Sequence, residues 1–316
     1  MVRIGIDLGG TNIVAGVVDN EQNIIAKAQC KTNLPRPAAD ILADMARLAK
    51  EATANAGLTM DDVAYVGVGC PGTCNVFTGI VEYSCNLDFK EVSLKEDLET
   101  LIGKPVYIEN DANAAALGEA VAGAAKGAQS ALCITLGTGV GGGIIIDGKI
   151  YDGFNCAAAE LGHIVIVVDG EQCGCGRKGC WEAYASATAL IRQTKAAIEK
   201  NPESGLAKLA AEQGKVSGRT AFDAMRAGDD VAKAVVDQYI KYLASGLTNM
   251  VNIFQPEVLC IGGGISHEGD TLLKPVMEHI ERDRYSKYSK HQTRLCAAAL
   301  GNDAGIIGAA CLGDQG

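Results

Sequence analysis

Three patterns in this 316-residue chain carry residues that can do chemistry: a carboxylate at a strand–helix junction, a tight His/Cys group and three glycine turns. PVYIEN (105–110) reads as a strand running directly into an alanine-rich helix over 113–122. That places Asn110 and Asp111 at the C-terminal edge of a strand, where α/β sheets hold their ligands. A carboxylate there can take the proton of a hydroxyl as its oxygen attacks phosphorus, and Asn110 can both donate to and accept from neighbouring hydroxyls. The same residues also suit a helix cap, with Asp111 or Asn113 as the capping group, and spacing leaves both roles open. Strand alternation puts Glu109 on a different side from Asn110 and outside the catalytic set.

Residues 160–182, ELGHIVIVVDGEQCGCGRKGCWE, supply one imidazole and three thiols: His163, Cys173, Cys175 and Cys180. Soft thiolates with one histidine favour zinc in a closed tetrahedral site. The Cys-x-Cys step is tighter than the usual zinc spacing, and Gly174, Gly176 and Gly179 make such wrapping feasible. Free thiols or a disulfide are the alternatives. Four protein ligands leave no open position, so the metal is read as structural, fixing the loop that carries Glu160 and Glu182. An imidazole on zinc keeps its other nitrogen for a substrate oxygen, so His163 suits both tasks. Glu160 and Glu182 are otherwise ordinary surface carboxylates.

The glycine turns are Gly9-Gly10-Thr11, Gly137-Thr138-Gly139 with Gly141 to Gly143, and Gly262-Gly263-Gly264. Glycine lets backbone N–H groups converge on an anion without an intervening Cβ, although tight turning alone also selects it. Gly137, Gly139 and Gly142 match GxGxxG, yet III follows at 144–146 where the dinucleotide fingerprint requires a helix. No Walker A motif is present: Gly103-Lys104 is followed by Pro105, and Gly148-Lys149 by Ile150. Asp7 before the first turn and Thr138 within the second favour a nucleotide-phosphate site, with Asp7 holding Mg²⁺ or its water.

The elements that must position these groups are legible from apolar period. VRIGIDL (2–8) and 13–18 form a hairpin about the first glycine pair, and 23–30 supply a third strand. A helix over 38–56 presents Ile41, Leu42, Met45, Leu48 and Ala49 on one face, and AYVGVG (64–69) is a buried strand. From residue 131 the opening pattern repeats at an offset of 128, with Ile4 to Gly9 falling on Leu132 to Gly137 and Asp19 on Asp147. Helical patterns dominate 183–245, including Val231 to Leu243. LCIGGGIS (259–266) returns to strand, turn and helix start. RLCAAAL (294–300) is strand-like, and DAGIIGAACLG (303–313) is a small-residue helix suited to close packing. Alternating strands and helices imply an α/β layer architecture, and the repeat implies two related domains facing each other across a cleft.

Composition narrows the function classes. With 28 basic and 38 acidic side chains, the formal charge of -10 weighs against non-specific nucleic-acid binding and against docking on anionic membranes. There are 39 glycines, well above the usual roughly 7%. The 12 cysteines are read as mostly reduced and buried, outside the group at 173–180. No signal peptide and no transmembrane span are expected, and the chain is read as cytoplasmic.

DLGGTN (7–12), NDANAAALGE (110–119), LGTGVGGG (136–143), ELGHI (160–164), CGCGRKGCWE (173–182) and IGGG (261–264) together resemble the ROK family of bacterial sugar kinases and sugar-responsive repressors. The resemblance spans essentially the whole chain and is strongest to the glucokinase branch. It implies an actin-like (hexokinase/ribonuclease H-like) two-domain α/β fold with a central cleft. The implied division is a smaller domain over 1–120, a larger one over 121–294 with the zinc loop inserted, and a segment over 295–316 returning to the first. By resemblance the catalytic base falls on Asp111, and the sugar contacts on Asn110, Asp111, Glu160, His163 and Glu182. The zinc ligands fall on His163, Cys173, Cys175 and Cys180. The nucleotide-phosphate turns fall on Asp7, Gly9, Gly10, Thr11 and Asn12 and on Gly137, Thr138 and Gly139, with Gly262, Gly263 and Gly264 near the nucleoside end.

The implied reaction is transfer of the ATP γ-phosphoryl to the 6-hydroxyl of glucose, with Mg²⁺ and a structural Zn²⁺. Another hexose such as fructose, or N-acetylglucosamine or N-acetylmannosamine, is the alternative substrate, and a non-enzymatic sugar-binding regulator is the alternative class. The repressor branch usually carries an N-terminal helix-turn-helix, and with the first strand starting at residue 2 none is expected; a homodimer is. Departures from the family pattern are Ala159, where Ala-Gly-Glu is often read, and Cys156, where glycine is common. Cys70 and Cys74 flank Pro71-Gly72 near the loop expected to approach the sugar.

Overall fold

Two runs rich in β-branched residues flank the first glycine pair, and they pair as a hairpin because their inward positions are all apolar. In the computed structural model, which describes residues 1–315, β1 (Val2–Leu8) and β2 (Asn12–Val18) are antiparallel, from Arg3 opposite Val18 to Leu8 opposite Ile13. β3 (Ile24–Lys31) extends this meander, and α1 (Ala38–Asn55) packs on it through Ile41, Met45, Leu48 and Ala49, all fully buried. β4 (Val63–Cys70) adds parallel to β1 on its other side. A small antiparallel sheet follows, β5 (Thr73–Asn75), β6 (Ile80–Ser84) and β7 (Phe89–Val92), and then α2 (Leu94–Ile102). Its short strands had no readable period. β8 (Val106–Asn110) pairs parallel with β4, putting Cys70 opposite Asn110, and the chain turns at once into α3 (Asp111–Val121). The first sheet thus has the order β3-β2-β1-β4-β8.

The repeat is visible in topology. β9 (Ala131–Leu136), β10 (Val140–Ile146) and β11 (Lys149–Ile150) again surround a glycine turn. The helices α4 (Glu182–Ala185), α5 (Ala187–Lys200), α6 (Gly205–Glu212), α7 (Thr220–Arg226) and α8 (Asp230–Phe254) follow. β12 (Val258–Gly262), α9 (Asp270–Asp283), β13 (Arg294–Ala297) and α10 (Ala304–Ala310) complete the chain. The second sheet has the order β11-β10-β9-β12-β13, which matches the first strand for strand.

The chain divides into two compact units, one of residues 1–133, 143–159 and Ala298 onward, the other of 134–142 and 160–297. This differs from a boundary at 120/121. Glu119, buried in α3, accepts the N–H groups of Ala124 (2.7 Å), Ala299 (3.1 Å) and Leu300 (2.8 Å), which ties both the segment after α3 and the returning C-terminus to the first unit. The second boundary lies beyond 294 because β13 pairs with β12 through Ala297. Within the first unit α10 packs on α3 by backbone contact. A Cβ at Gly308 would stand 1.7 Å from the carbonyl oxygen of Ala114, so only glycine permits this approach.

Candidate active site and metal centre

In the first unit the site is built at the C-terminal ends of β1 and β8. Asn110, not Asp111 or Asn113, is the cap of α3: its side-chain oxygen accepts from the N–H groups of Ala112 (2.9 Å) and Asn113 (3.2 Å). Its amide nitrogen donates to the carbonyl of Gly72 at 3.1 Å. With the cap supplied, Asp111 uses only Oδ1 locally, accepting the N–H of Ala112 at 2.9 Å. Burial raises the proton affinity of Asp111 against the opposing pull of backbone N–H groups. Asp7, at the end of β1, is pushed up to about 6 by burial and then by the negative charge of Asp111. Two desolvated carboxylates in mutual repulsion form a donor set that a divalent cation would relieve, so Asp7 fits the role of Mg²⁺ holder.

The first glycine turn is pinned from below. Gly9 N–H donates to the carbonyl of Asn12 at 2.9 Å, and Thr32 Oγ1 donates to the carbonyl of Gly9 at 2.6 Å. Gly10, Thr11 and Asn12 are exposed above it.

In the second unit, His163, Cys173, Cys175 and Cys180 converge, their ligand atoms all within 4.8 Å of one another. Cys175 Sγ and Cys180 Sγ lie 3.7 Å apart, and Cys173 Sγ lies 3.7 Å from His163 Nδ1. Sulfurs bonded at about 2.3 Å to a tetrahedral metal sit about 3.8 Å apart, so the four residues fit zinc. His163 turns Nδ1 to the thiols and Nε2 toward Glu160, whose Oε2 is 3.9 Å away. Glu160 is exposed at the head of the short 3-10 turn Leu161–His163.

Glu182 joins this group to the second glycine turn. Its Oε2 accepts the N–H of Val140 at 3.0 Å, while Cys173 Sγ donates toward Oε1 at 3.6 Å. A Cβ on Gly139 would stand 2.2 Å from that Oε2. The turn itself closes with Gly137 N–H on the carbonyl of Gly139 (3.0 Å), and the N–H of Ala187 donates to the carbonyl of Gly137 (2.9 Å). Gly137 and Thr138 are exposed. Gly262 ends β12, and Gly263, at φ 86, passes so close to Leu136 that a Cβ would meet its carbonyl oxygen at 2.3 Å. Gly264 stands in the open.

Glu109, set apart from Asn110 by strand alternation, is buried and accepts from the N–H of Asn110 and from Nδ2 of Asn113. Alternation located its side but not its partners. Cys70 and Cys74 are core thiols of the first unit. Cys156 and Ala159 both have left-handed backbones, φ 59 and 66, which is the physical reason glycine suits these positions.

The fold and these motifs define a class, the sugar kinases of actin/hexokinase-like α/β fold. The chain belongs to the ROK family, whose model matches residues 3–315. It is 39% identical over 315 residues to a glucokinase of Streptomyces coelicolor, covering 98% of this chain and 97% of that one. A glucokinase of Thermotoga maritima is 37% identical over 310 residues, covering 98% and 96%. Among solved structures, a ROK family glucokinase from Streptomyces griseus in complex with glucose and AMPPNP superposes with a TM-score of 0.82 at 39% identity, covering 100% of both chains.

Proposed function

We propose that this chain is an ATP-dependent glucokinase, transferring the γ-phosphoryl group of ATP to the 6-hydroxyl of glucose. The observation that carries this reading is the full-length match to a glucokinase holding glucose and a nucleotide. The residues add a chemical rationale. Asp111 Oδ1 is engaged by Ala112, which leaves Oδ2 to take the O6 proton. As that proton leaves, the O6–phosphorus bond forms and the bond to the β-phosphate oxygen breaks, the electron pair departing with ADP. Asn110, Glu160, His163 Nε2 and Glu182 hold the sugar hydroxyls in this reading. The exposed residues Gly10 and Thr11 of the first turn and Thr138 of the second offer their amides and hydroxyls to phosphoryl oxygens, and Gly262 to Gly264 border the nucleoside.

Asp7 is the residue that would hold Mg²⁺, which supplies charge neutralisation on the phosphates when bound. His163, Cys173, Cys175 and Cys180 would hold a structural Zn²⁺ that stiffens the loop bearing Glu160 and Glu182. Among the described residues no helix is long and apolar enough to cross a membrane. A cytoplasmic setting and a homodimer complete the proposal. A coupled ADP-release assay across glucose, fructose, mannose, N-acetylglucosamine and N-acetylmannosamine tests it. Glucose is expected to give the highest kcat/KM, and a preference for an N-acetylated sugar would overturn the assignment. Metal analysis of the purified chain is expected to return one zinc per chain.

A further inference from the structure

Glu109 lies at the end of β8, only 4% exposed, one residue before the cap of α3 and two before Asp111. Its Oε1 accepts two donors, the N–H of Asn110 at 2.6 Å and Nδ2 of Asn113 at 3.0 Å. Its side chain also meets the carboxyl group of Asp152, and both line one cavity of about 310 Å³ within the first unit. Oδ1 of Asp152 is buried without a hydrogen-bond partner. With Glu109 buried and Oδ1 of the half-buried Asp152 shielded, the two carboxyl groups in contact disfavour double ionisation and favour one shared proton. Oε1 of Glu109 is occupied as an acceptor, which leaves Oε2 to carry that proton and donate it to Asp152. The carbonyl of Asp152 in turn accepts the N–H of Ala158 at 3.1 Å, closing the loop that ends at Ala159.

We infer that Glu109 and Asp152 form a one-proton carboxyl pair that positions the Asn110–Asp111 junction against the 152–158 loop, and that phosphoryl transfer requires this proton. Glu109 acts through Asn110 and Asp111 and is a positioning residue. Burial, and then the negative charge of Asp152, push Glu109 up to about 8. The titratable groups facing the pair are Cys74 on β5 and Cys156 on the loop, with Tyr107 on β8, Lys95 and Lys149 lining the same cavity. Cys74, beside Cys70, and Cys156, through burial, are both raised and stay neutral across this range. Below about pH 8 the proton is present and the pair is closed. Above it the buried charge of Glu109 faces that of the half-buried Asp152 and the junction loses its tether.

The inference rests on the glucokinase reading, and its test has one readout within that activity and one outside it. The kcat and KM for glucose are measured from pH 6 to 9.5 for the parent, Glu109→Gln, Glu109→Ala and Asp152→Asn, with thermal midpoints at each pH. The parent is expected to lose kcat tenfold per pH unit above about 8. Glu109→Ala loses at least tenfold at pH 7. Glu109→Gln, a permanently neutral donor to Asp152, restores turnover relative to alanine and abolishes the alkaline limb. An alkaline limb unchanged in folded Glu109→Gln overturns the inference while leaving the glucokinase reading intact. Independently of any sugar, infrared spectra of protein labelled with ¹³C-glutamate are expected to show a protonated carboxyl at pH 7 that titrates near 8 and is missing in Glu109→Gln. Absence of that band in the parent overturns the pair whatever the substrate.

Discussion

Gly139 and Gly137 sit two residues apart in one turn, yet an added methyl has opposite consequences at the two. At Gly139 the new Cβ would lie 2.2 Å from Oε2 of Glu182, well inside any real carbon–oxygen contact, whereas at Gly137 nothing lies within 4 Å. Gly139→Ala must therefore drive the Glu182 carboxylate away by about 1 Å, breaking its 3.0 Å bond from Val140 N–H. A hydrogen bond to a charged acceptor contributes about 1.5–3 kcal/mol. If Glu182 holds a sugar hydroxyl from this position, glucose binding should weaken by roughly tenfold to 150-fold. Titration calorimetry with glucose in the absence of nucleotide reads this directly. Gly137→Ala, measured the same way, should bind glucose like the parent. Equal affinity in Gly139→Ala and the parent would refute the role given to Glu182.

Asp111→Asn should retain glucose binding and lose at least about 100-fold in kcat, since an amide cannot take the O6 proton; near-normal turnover would remove Asp111 as the base. Asp7 binds its proton more tightly folded than unfolded, so stability should fall as pH rises from about 4 to about 6 and stay low above it. Asp7→Asn should then be more stable than the parent at pH 7, by up to about 3 kcal/mol, while losing turnover with Mg-ATP; chemical denaturation at pH 5 and 7 checks the sign. Ala159→Gly relieves a left-handed backbone worth about 1–2 kcal/mol, less about 0.4–1 kcal/mol for the greater freedom of unfolded glycine. Its melting temperature should rise by up to about 2 °C, and a fall would contradict the strain argument.

Much of the candidate site was legible because its chemistry is local in the chain. The three cysteines and His163 lie within 18 residues, so spacing alone grouped them, and the structure brings them within 4.8 Å. The glycine turns are punctuation between apolar runs, and apolar period likewise located β1, β2, β4, α1 and α8. The sheet β5-β6-β7 escaped because strands of three to five residues carry too few alternations to register.

The sequence by itself determined which residue types stand at strand ends and turns, and so the class of chemistry. The tertiary structure decided which of them touch. Asn110 rather than Asp111 or Asn113 caps α3, a distinction set by where the backbone turns from extended to helical, which three capping-competent residues within four positions leave open in sequence. Glu119 reaches Leu300 across 181 residues, and Glu182 reaches Val140 across 42. Glu109 reads as one more strand residue until the fold buries it and sets Asp152 beside it. Burial and long-range contact set the proton affinities of Asp7, Glu109 and Asp111, because desolvation depends on every atom packed around a group and not on its neighbours in the chain.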